Sequence, residues 1–181
     1  MDSARSDALV FFGATGDLAF KQIFPALQAL VRTGRLEMPI VAVGRKELPI
    51  EEMRARVRES LEKSGELDED AFTKIASQLR YAQVDYDDPA SFRHIKEAVG
   101  AAKHPLHYVA LPTELYEKVA KNLDGAGLAK GARLVVEKPF GHDAASAKAL
   151  SKALHAYFPE EALFRIDHFL GKEQVANIIY F

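Results

Sequence analysis

Residues 8–19 read Ala-Leu-Val-Phe-Phe-Gly-Ala-Thr-Gly-Asp-Leu-Ala, a strand-like run that passes through a glycine turn. Five apolar residues in succession predict a strand that is buried on both faces and ends at Gly13. A helical pattern follows, because Ile23, Leu27 and Val31 recur at helical spacing. The segment therefore predicts a buried strand, a tight turn and an amphipathic helix, which together make the opening unit of an α/β domain.

Short apolar runs alternate with amphipathic segments along the rest of the chain. The predicted strands cover residues 8–12, 39–43, 81–85, 106–111, 134–136 and 163–166. Helices are predicted between them, including one over residues 51–63, a short one marked by Phe72 to Leu79 and one capped by Asp143. The order βαβααβαβαβαβα is typical of parallel strands with helical crossovers. The sequence thus predicts an α/β fold with a doubly wound parallel sheet of the Rossmann type.

The composition limits the classes of function. In 181 residues, 24 Lys and Arg stand against 26 Asp and Glu, and the net charge of −2 argues against a nucleic-acid partner. The lack of cysteine excludes thiolate catalysis and cysteine-ligated zinc, and the six histidines show no metal-ligand spacing. No run approaches the ~18 apolar residues of a membrane helix. The early strand at Ala8 leaves no room for a signal peptide, so we expect a cytoplasmic protein without a membrane partner.

The glycine turn is the first candidate site. A turn without bulky side chains between a buried strand and a helix lets backbone N–H groups and the helix N-terminus meet a pyrophosphate. Its spacing, Gly-x-x-Gly-x-x-Ala, differs from the commoner Gly-x-Gly-x-x-Gly. The alternative is a turn that serves only tight strand–helix packing. The candidate cofactor-binding residues are Gly13, Ala14, Thr15, Gly16, Asp17 and Leu18.

Two cations follow the second predicted strand. An NAD-binding domain places an acidic residue there, against the ribose hydroxyls. This chain has Arg45 and Lys46 instead, and the planar donors of Arg45 could fork onto a 2′-phosphate. The pair therefore favours NADP over NAD as the cofactor. The alternative is a solvated Arg-Lys pair with no ligand.

Two further polar clusters follow later strands. Lys138 comes directly after a buried strand, where ligands of open α/β sheets bind, although a surface lysine before a turn is the alternative. His168 and Lys172 are four residues apart and would share one face of a helical turn, as a phosphate site requires. Asp167 could orient a histidine from elsewhere. An Asp-His pair can also act only as a cap or ion pair.

The motifs of the chain resemble those of glucose-6-phosphate dehydrogenases, in order and spacing, across essentially its whole length. They are Gly-Ala-Thr-Gly-Asp-Leu-Ala, Val-Gly-Arg, Glu-Lys-Pro-Phe-Gly and Arg-Ile-Asp-His-Phe-Leu-Gly-Lys-Glu. The resemblance implies NADP-linked oxidation of glucose 6-phosphate to 6-phosphogluconolactone, in the oxidative pentose phosphate pathway, by a homodimer or homotetramer. Two alternatives remain. One is another sugar oxidoreductase of the glucose–fructose oxidoreductase type, which normally carries Gly-x-Gly-x-x-Gly, and the other is a non-catalytic NADP-binding module.

The resemblance also implies roles for single residues. The turn from Gly13 to Leu18 would hold the pyrophosphate and Arg45 the 2′-phosphate. Asp85 and Tyr86 match a pair that lines the cofactor pocket, where the family often has Asp-Val.

On the substrate side, Lys138 would bridge cofactor and sugar, His168 and Lys172 would bind the sugar phosphate, and Asp167 would orient the catalytic base. The sequence departs from the family's pattern at Phe169, where a tyrosine is usual, and at Gln22, where a lysine is usual.

The general-base histidine of the family lies in a large C-terminal α+β domain, and family members are more than twice as long as this chain. The resemblance implies an NADP-binding domain over residues 1–160 and the start of a truncated substrate and dimerisation domain over residues 161–181. The apolar end, Ile178 to Phe181, also suggests truncation, since chain ends are usually polar. The isolated chain is therefore expected to be inactive.

Overall fold

The computed structural model describes residues 5–166. Over this part of the chain the six strands are β1 (Ala8–Phe12), β2 (Ile40–Gly44), β3 (Leu79–Gln83), β4 (Pro105–Val109), β5 (Arg133–Glu137) and β6 (Leu163–Ile166). The α-helices are α1 (Phe24–Arg32), α2 (Ile50–Ser64), α3 (Glu69–Gln78), α4 (Arg93–Val99), α5 (Tyr116–Gly125) and α6 (Ala144–His155). A π-helical turn, Ala19–Ile23, leads into α1, and short 3₁₀ turns cover Pro89–Phe92, Thr113–Leu115 and Glu160–Ala162.

The strands form one parallel sheet in the order β3-β2-β1-β4-β5-β6. β1 lies between β2 and β4, with Phe11 paired to Ala42 on one side and to Tyr108 on the other. The chain first adds strands on one side of β1 and then on the other, so right-handed crossovers place helices on both faces. This confirms the predicted Rossmann-type doubly wound sheet. Ligands of such sheets bind at the carboxyl ends of the strands where the direction reverses, which here is beside β1.

Alternate strand residues fill two cores, one on each face of the sheet. Val10 and Phe12 of β1 pack with α4, α5 and α6, whereas Leu9 and Phe11 pack with α1, α2 and α3. All five positions of β1 are buried, as its apolar run predicts. Phe11 meets Phe24 of α1 edge to face, with ring centroids 5.8 Å apart. Burial on both faces holds the end of β1, and with it the glycine turn, at the centre of the carboxyl edge.

Most element boundaries follow the sequence pattern, but the third strand is displaced by two residues. β3 begins at Leu79 and not at residue 81, because Leu79 is buried and pairs with Ile40. The helix predicted up to Leu79 accordingly ends at Gln78, and it begins after Asp68, whose carboxylate accepts the N–H of Ala71.

The other predicted helices agree closely with the structure. α2 covers the predicted 51–63 segment, and Asp143 caps α6 in a capping box with Ser146.

The predictions for residues 167–181 lie outside the described residues. β6 is the last described element and pairs with β5, with Ile166 opposite Glu137. The division of the chain at residue 160 stays a prediction.

Candidate functional site

The glycine turn connects β1 to α1 at the centre of the carboxyl edge. Gly13 has φ of +81°, and a Cβ atom there would overlap the carbonyl oxygen of Ala110, which follows β4. The N–H groups of Gly13 and Ala14 both donate to the Val43 carbonyl oxygen of β2, at 3.1 and 3.0 Å. The N–H of Gly16 donates to the Gly13 carbonyl oxygen at 2.9 Å and closes the turn. The turn is thus hydrogen-bonded to β2 and packed closely against Ala110, which follows β4.

The six residues predicted for this turn are not equivalent. Ala14 is buried, and its N–H and that of Gly13 are used inside the protein. Thr15, Gly16 and Asp17 are exposed. The exposed part of the turn is therefore the part that a pyrophosphate can approach, while its first two residues fix it to the sheet.

Arg45 and Lys46 lie exposed beside this turn, directly after β2. Two side chains of β3 hold their main chain, because Gln83 Nε2 donates to the Arg45 carbonyl (3.3 Å) and Tyr81 Oη to the Lys46 carbonyl (2.6 Å). Burial raises the pKa of Tyr81, which keeps its hydroxyl a donor. Tyr81 and Gln83 were not among the predicted site residues. Their alternate positions on one strand place both side chains on the same face of the sheet, which is the signal that the sequence offered.

Asp85 and Tyr86 lie beyond the end of β3 and differ in environment. Asp85 is exposed, and its carboxylate accepts the N–H of Asp87 at 3.0 Å. Tyr86 is buried with its ring centroid 6.2 Å from that of Phe12. Burial raises the pKa of Tyr86 to about 12, although the nearby charge of Arg45 favours the ionised form. Within this pair, Asp85 alone is exposed, and Tyr86 supports the turn from the core.

Lys138 lies at the end of β5, exposed, and its peptide bond to Pro139 is cis. The preceding residue, Glu137, is buried and held from both faces of the sheet. Its carboxylate accepts the Tyr108 hydroxyl, and burial together with this hydrogen bond raises the pKa of Tyr108. The Tyr116 hydroxyl donates to the Glu137 carbonyl at 3.0 Å and accepts the Glu137 N–H at 3.3 Å. The main chain that presents Lys138 is therefore tightly fixed.

Tyr108 and Tyr116 are site residues that the sequence analysis missed. Each sits in an apolar strand or helix pattern and is indistinguishable there from an ordinary core aromatic. Their hydroxyl groups find partners only because β4 pairs with β5 and because the first residue of α5, Tyr116, lies against the end of β5. Nothing in the local sequence signals this pairing.

Gln22, one of the two departures from the family pattern, lines a cavity of about 490 Å³ on the α1 face of the sheet. Leu18 and Tyr108 line the same cavity, so Gln22 lies on the side of the site where Tyr108 holds Glu137. The other candidate substrate residues, Asp167, His168 and Lys172, and the other departure, Phe169, lie outside the described residues.

Within residues 5–166, no three His, Cys, Asp or Glu side chains converge as metal ligands. In the same part of the chain, no helix combines the length and apolar character needed to cross a membrane.

The chain is similar to proteins of a known family. The family model described as "Glucose-6-phosphate dehydrogenase, NAD binding domain" matches residues 10–177. Glucose-6-phosphate 1-dehydrogenase 1 of Mycobacterium tuberculosis is 39% identical over 175 residues, which are 97% of this chain and 38% of that protein. The Bacillus subtilis glucose-6-phosphate 1-dehydrogenase is 35% identical over 182 residues, covering 94% of this chain and 37% of that protein. The chain thus spans less than two fifths of the length of these relatives.

Solved structures agree. The crystal structure of glucose-6-phosphate 1-dehydrogenase from Mycobacterium avium matches with a TM-score of 0.88 and 40% identity, over 93% of this chain and 37% of that one. A glucose-6-phosphate dehydrogenase in complex with its substrate glucose 6-phosphate matches with a TM-score of 0.81 and 34% identity, over 97% of this chain and 40% of that one.

Proposed function

The chain belongs to the glucose-6-phosphate dehydrogenase family, and on that premise we propose that it is the coenzyme-binding part of an NADP-dependent glucose-6-phosphate dehydrogenase. The whole enzyme would oxidise glucose 6-phosphate to 6-phosphogluconolactone. The observation that carries the proposal is the meeting of three features at one edge of the sheet. These are the exposed glycine turn, the Arg45–Lys46 pair and Lys138, which follow β1, β2 and β5.

The residues at this edge fit a dinucleotide. The missing Cβ of Gly13 lets the turn pack against the end of β4, and the exposed peptides of Thr15 to Asp17 offer a main-chain surface for a pyrophosphate. When bound, the nicotinamide accepts the hydride that leaves the anomeric carbon of the sugar. In this proposal the turn from Gly13 to Leu18 holds the pyrophosphate, with Thr15 to Asp17 exposed to it, and Asp85 and Tyr86 line the cofactor pocket.

The choice of NADP over NAD rests on Arg45. An acidic residue at the end of the second strand would repel a 2′-phosphate, whereas Arg45 and Lys46 offer two positive charges there. Two β3 side chains hold the main chain from which the Arg45 and Lys46 side chains extend.

On the substrate side, we assign Lys138 to the contact between coenzyme and sugar, His168 and Lys172 to the sugar phosphate, and Asp167 to orientation of the base. The fixed main chain of Glu137 supports this role of Lys138, because orientation of a reacting group contributes strongly to rate. Relatives carry more than half of their length outside the matched region, and we place the general base there. We expect no turnover of glucose 6-phosphate by residues 1–181 alone. For the whole protein we expect a cytoplasmic homodimer or homotetramer.

The test is a titration of this chain with NADPH and, separately, with NADH, followed by nicotinamide fluorescence. Saturable binding with a preference for NADPH is expected. In Arg45→Asp the affinity for NADPH should fall by about 10- to 100-fold, because a hydrogen-bonded charge pair with the 2′-phosphate is replaced by repulsion. The affinity for NADH, which lacks this phosphate, should not fall, because an acidic residue at this position suits the free ribose hydroxyls.

Arg35→Asp is the matched control, since Arg35 is also exposed but lies before β2, at the opposite end of the strand. It should keep the NADPH preference. Equal binding of both nucleotides by the unmodified chain would contradict the NADP assignment, and binding of neither by a folded chain would contradict the coenzyme site.

A further inference from the structure

One face of α2 makes hydrogen bonds to the segment that contains the glycine turn. Arg56, Ser60 and Lys63 are spaced by four and three residues and so share a side of the helix. The Ser60 hydroxyl donates to the Phe20 carbonyl oxygen, and Lys63 Nζ lies 5.4 Å from the centroid of the Phe20 ring. These contacts fasten the helical turn that follows the glycines to α2.

Arg56 makes the contact with the glycine turn itself. Its Nη2 donates to the carbonyl oxygens of Thr15 (2.9 Å) and Gly16 (3.3 Å), across 41 and 40 residues of chain. Its guanidinium lies over the Phe20 ring, 5.0 Å from the centroid. Its Nε is buried and has no acceptor among the described residues. A buried donor without an acceptor costs stability, so its retention in Arg56 calls for an explanation.

From these contacts, and resting on the proposed function, we infer that Arg56 is a positioning residue for the pyrophosphate. It holds two consecutive peptides of the turn with their carbonyl oxygens directed toward α2. A trans peptide carries its N–H on the side opposite its carbonyl, so the N–H of Asp17 is turned away from Arg56. Arg56 thereby keeps carbonyl oxygens away from the phosphate and leaves an amide donor toward it.

The peptide between Gly16 and Asp17 decides whether a donor or an acceptor faces the ligand, and the Phe20 N–H also holds its carbonyl oxygen, at 3.2 Å. Glycine restricts its own dihedral angles less than any other residue, and Gly16 is exposed. A flip of the peptide between Gly16 and Asp17 would present a carbonyl oxygen to the ligand and repel an anion. The hydrogen bond from Arg56 to the Gly16 carbonyl oxygen adds to that from the Phe20 N–H in opposing this flip, and the Arg56 charge would lie near a phosphate bound at the turn.

The test uses variants of the whole 181-residue chain and two ligands. Arg56→Met removes the hydrogen bonds and the charge while keeping side-chain length over Phe20, and Arg56→Lys keeps the charge. Arg58→Met is the matched control, because Arg58 lies on the same helix and stacks on Phe72, but its ion pairs are with Glu62 and Glu69. The ligands are NADPH and 2′-AMP, which carries the 2′-phosphate without a pyrophosphate. Thermal melts monitor folding.

We expect Arg56→Met to weaken NADPH binding by about 10- to 100-fold and to leave the affinity for 2′-AMP within about twofold. Arg56→Lys should lose less than Arg56→Met, and Arg58→Met should bind both ligands as the unmodified chain does. A merely structural role would weaken both ligands together.

An unchanged NADPH affinity in Arg56→Met, or an equal loss for both ligands, would overturn the inference and leave the coenzyme site in place. Should Arg56→Met not fold, the same comparison with Arg56→Lys decides, since a selective loss for NADPH is still expected there. Failure of the unmodified chain to bind NADPH contradicts the proposed function, and the inference falls with it.

Discussion

Replacement of Gly13 by alanine is expected to lower the free energy of unfolding by about 3–5 kcal/mol, the sum of backbone strain and overpacking. Gly13 has φ of +81°, a conformation that disfavours a side chain, and its Cβ would overlap the Ala110 carbonyl oxygen. Neither partner can yield easily, because the N–H of Gly13 is bonded to Val43 and Ala110 continues directly from β4. Urea unfolding measures the loss.

The variant Gly34→Ala separates the cost of backbone strain from the cost of overpacking. Gly34 also has positive φ, +66°, but nothing lies within 4 Å of its Cβ position. It should cost only about 1 kcal/mol, from strain alone. Equal losses in the two variants would show that the approach of β4 contributes nothing, and that backbone conformation alone selects glycine at position 13.

A second large effect is expected from the pH dependence of folding. His107 of β4 is completely buried, and its Nε2 donates to the Leu128 carbonyl oxygen at 2.8 Å. Its Nδ1 is buried without a partner among the described residues. Burial lowers the pKa of His107 from 6.5 to about 4, although the bond to Leu128 favours the charged form. The folded protein therefore keeps this imidazole neutral.

Acid lowers the stability of the folded protein through His107. Since the pKa is lower in the folded state, the unfolded chain takes up the proton first as the pH falls. Above pH 6.5 the contribution of His107 to the free energy of unfolding is fully present. It declines between pH 6.5 and about 4, and the total loss is about 3 kcal/mol once the pH is below about 4. Carboxylates add their own acid dependence, so the measurement must compare variants.

His107→Gln retains an amide donor for Leu128 and cannot titrate. Its free energy of unfolding, measured by urea at several pH values, should decline less than that of the unmodified chain between pH 6.5 and 4. His94→Gln is the control, because His94 is only half-buried, with Nδ1 2.8 Å from the Gln83 carbonyl oxygen, and it should keep the original slope. Parallel curves for His107→Gln and the unmodified chain would refute the assignment.

The predictability of the fold differs between elements. The five-residue run of β1 was identified correctly because burial on both faces leaves an uninterrupted apolar pattern. The start of β3 was missed by two residues, since Leu79 fits the end of a helix as well as the start of a strand. Only its pairing with Ile40 decides between them.

The residues of the candidate site also differ in how far the sequence predicts them. The prediction that the glycine turn, Arg45 and Lys138 follow strands of one parallel sheet is confirmed, and parallel strands bring such positions to one edge. Tyr108 and Tyr116 were missed because their hydroxyl partners belong to Glu137, which is 29 and 21 residues away. The sequence shows which residues can donate and accept hydrogen bonds, but it does not show which of them lie close enough in space to pair.

The sequence by itself determined the α/β class, the order of elements and which positions lie at the carboxyl edge of the sheet. Those features follow from local periodicity, turn chemistry and the rule that crossovers are right-handed. The tertiary structure alone decided that Arg56 reaches Thr15 and Gly16, and that His107 is completely buried. These depend on how strands and helices distant in sequence pack together, because a hydrogen bond requires atoms within about 3 Å and no spacing along the chain specifies that.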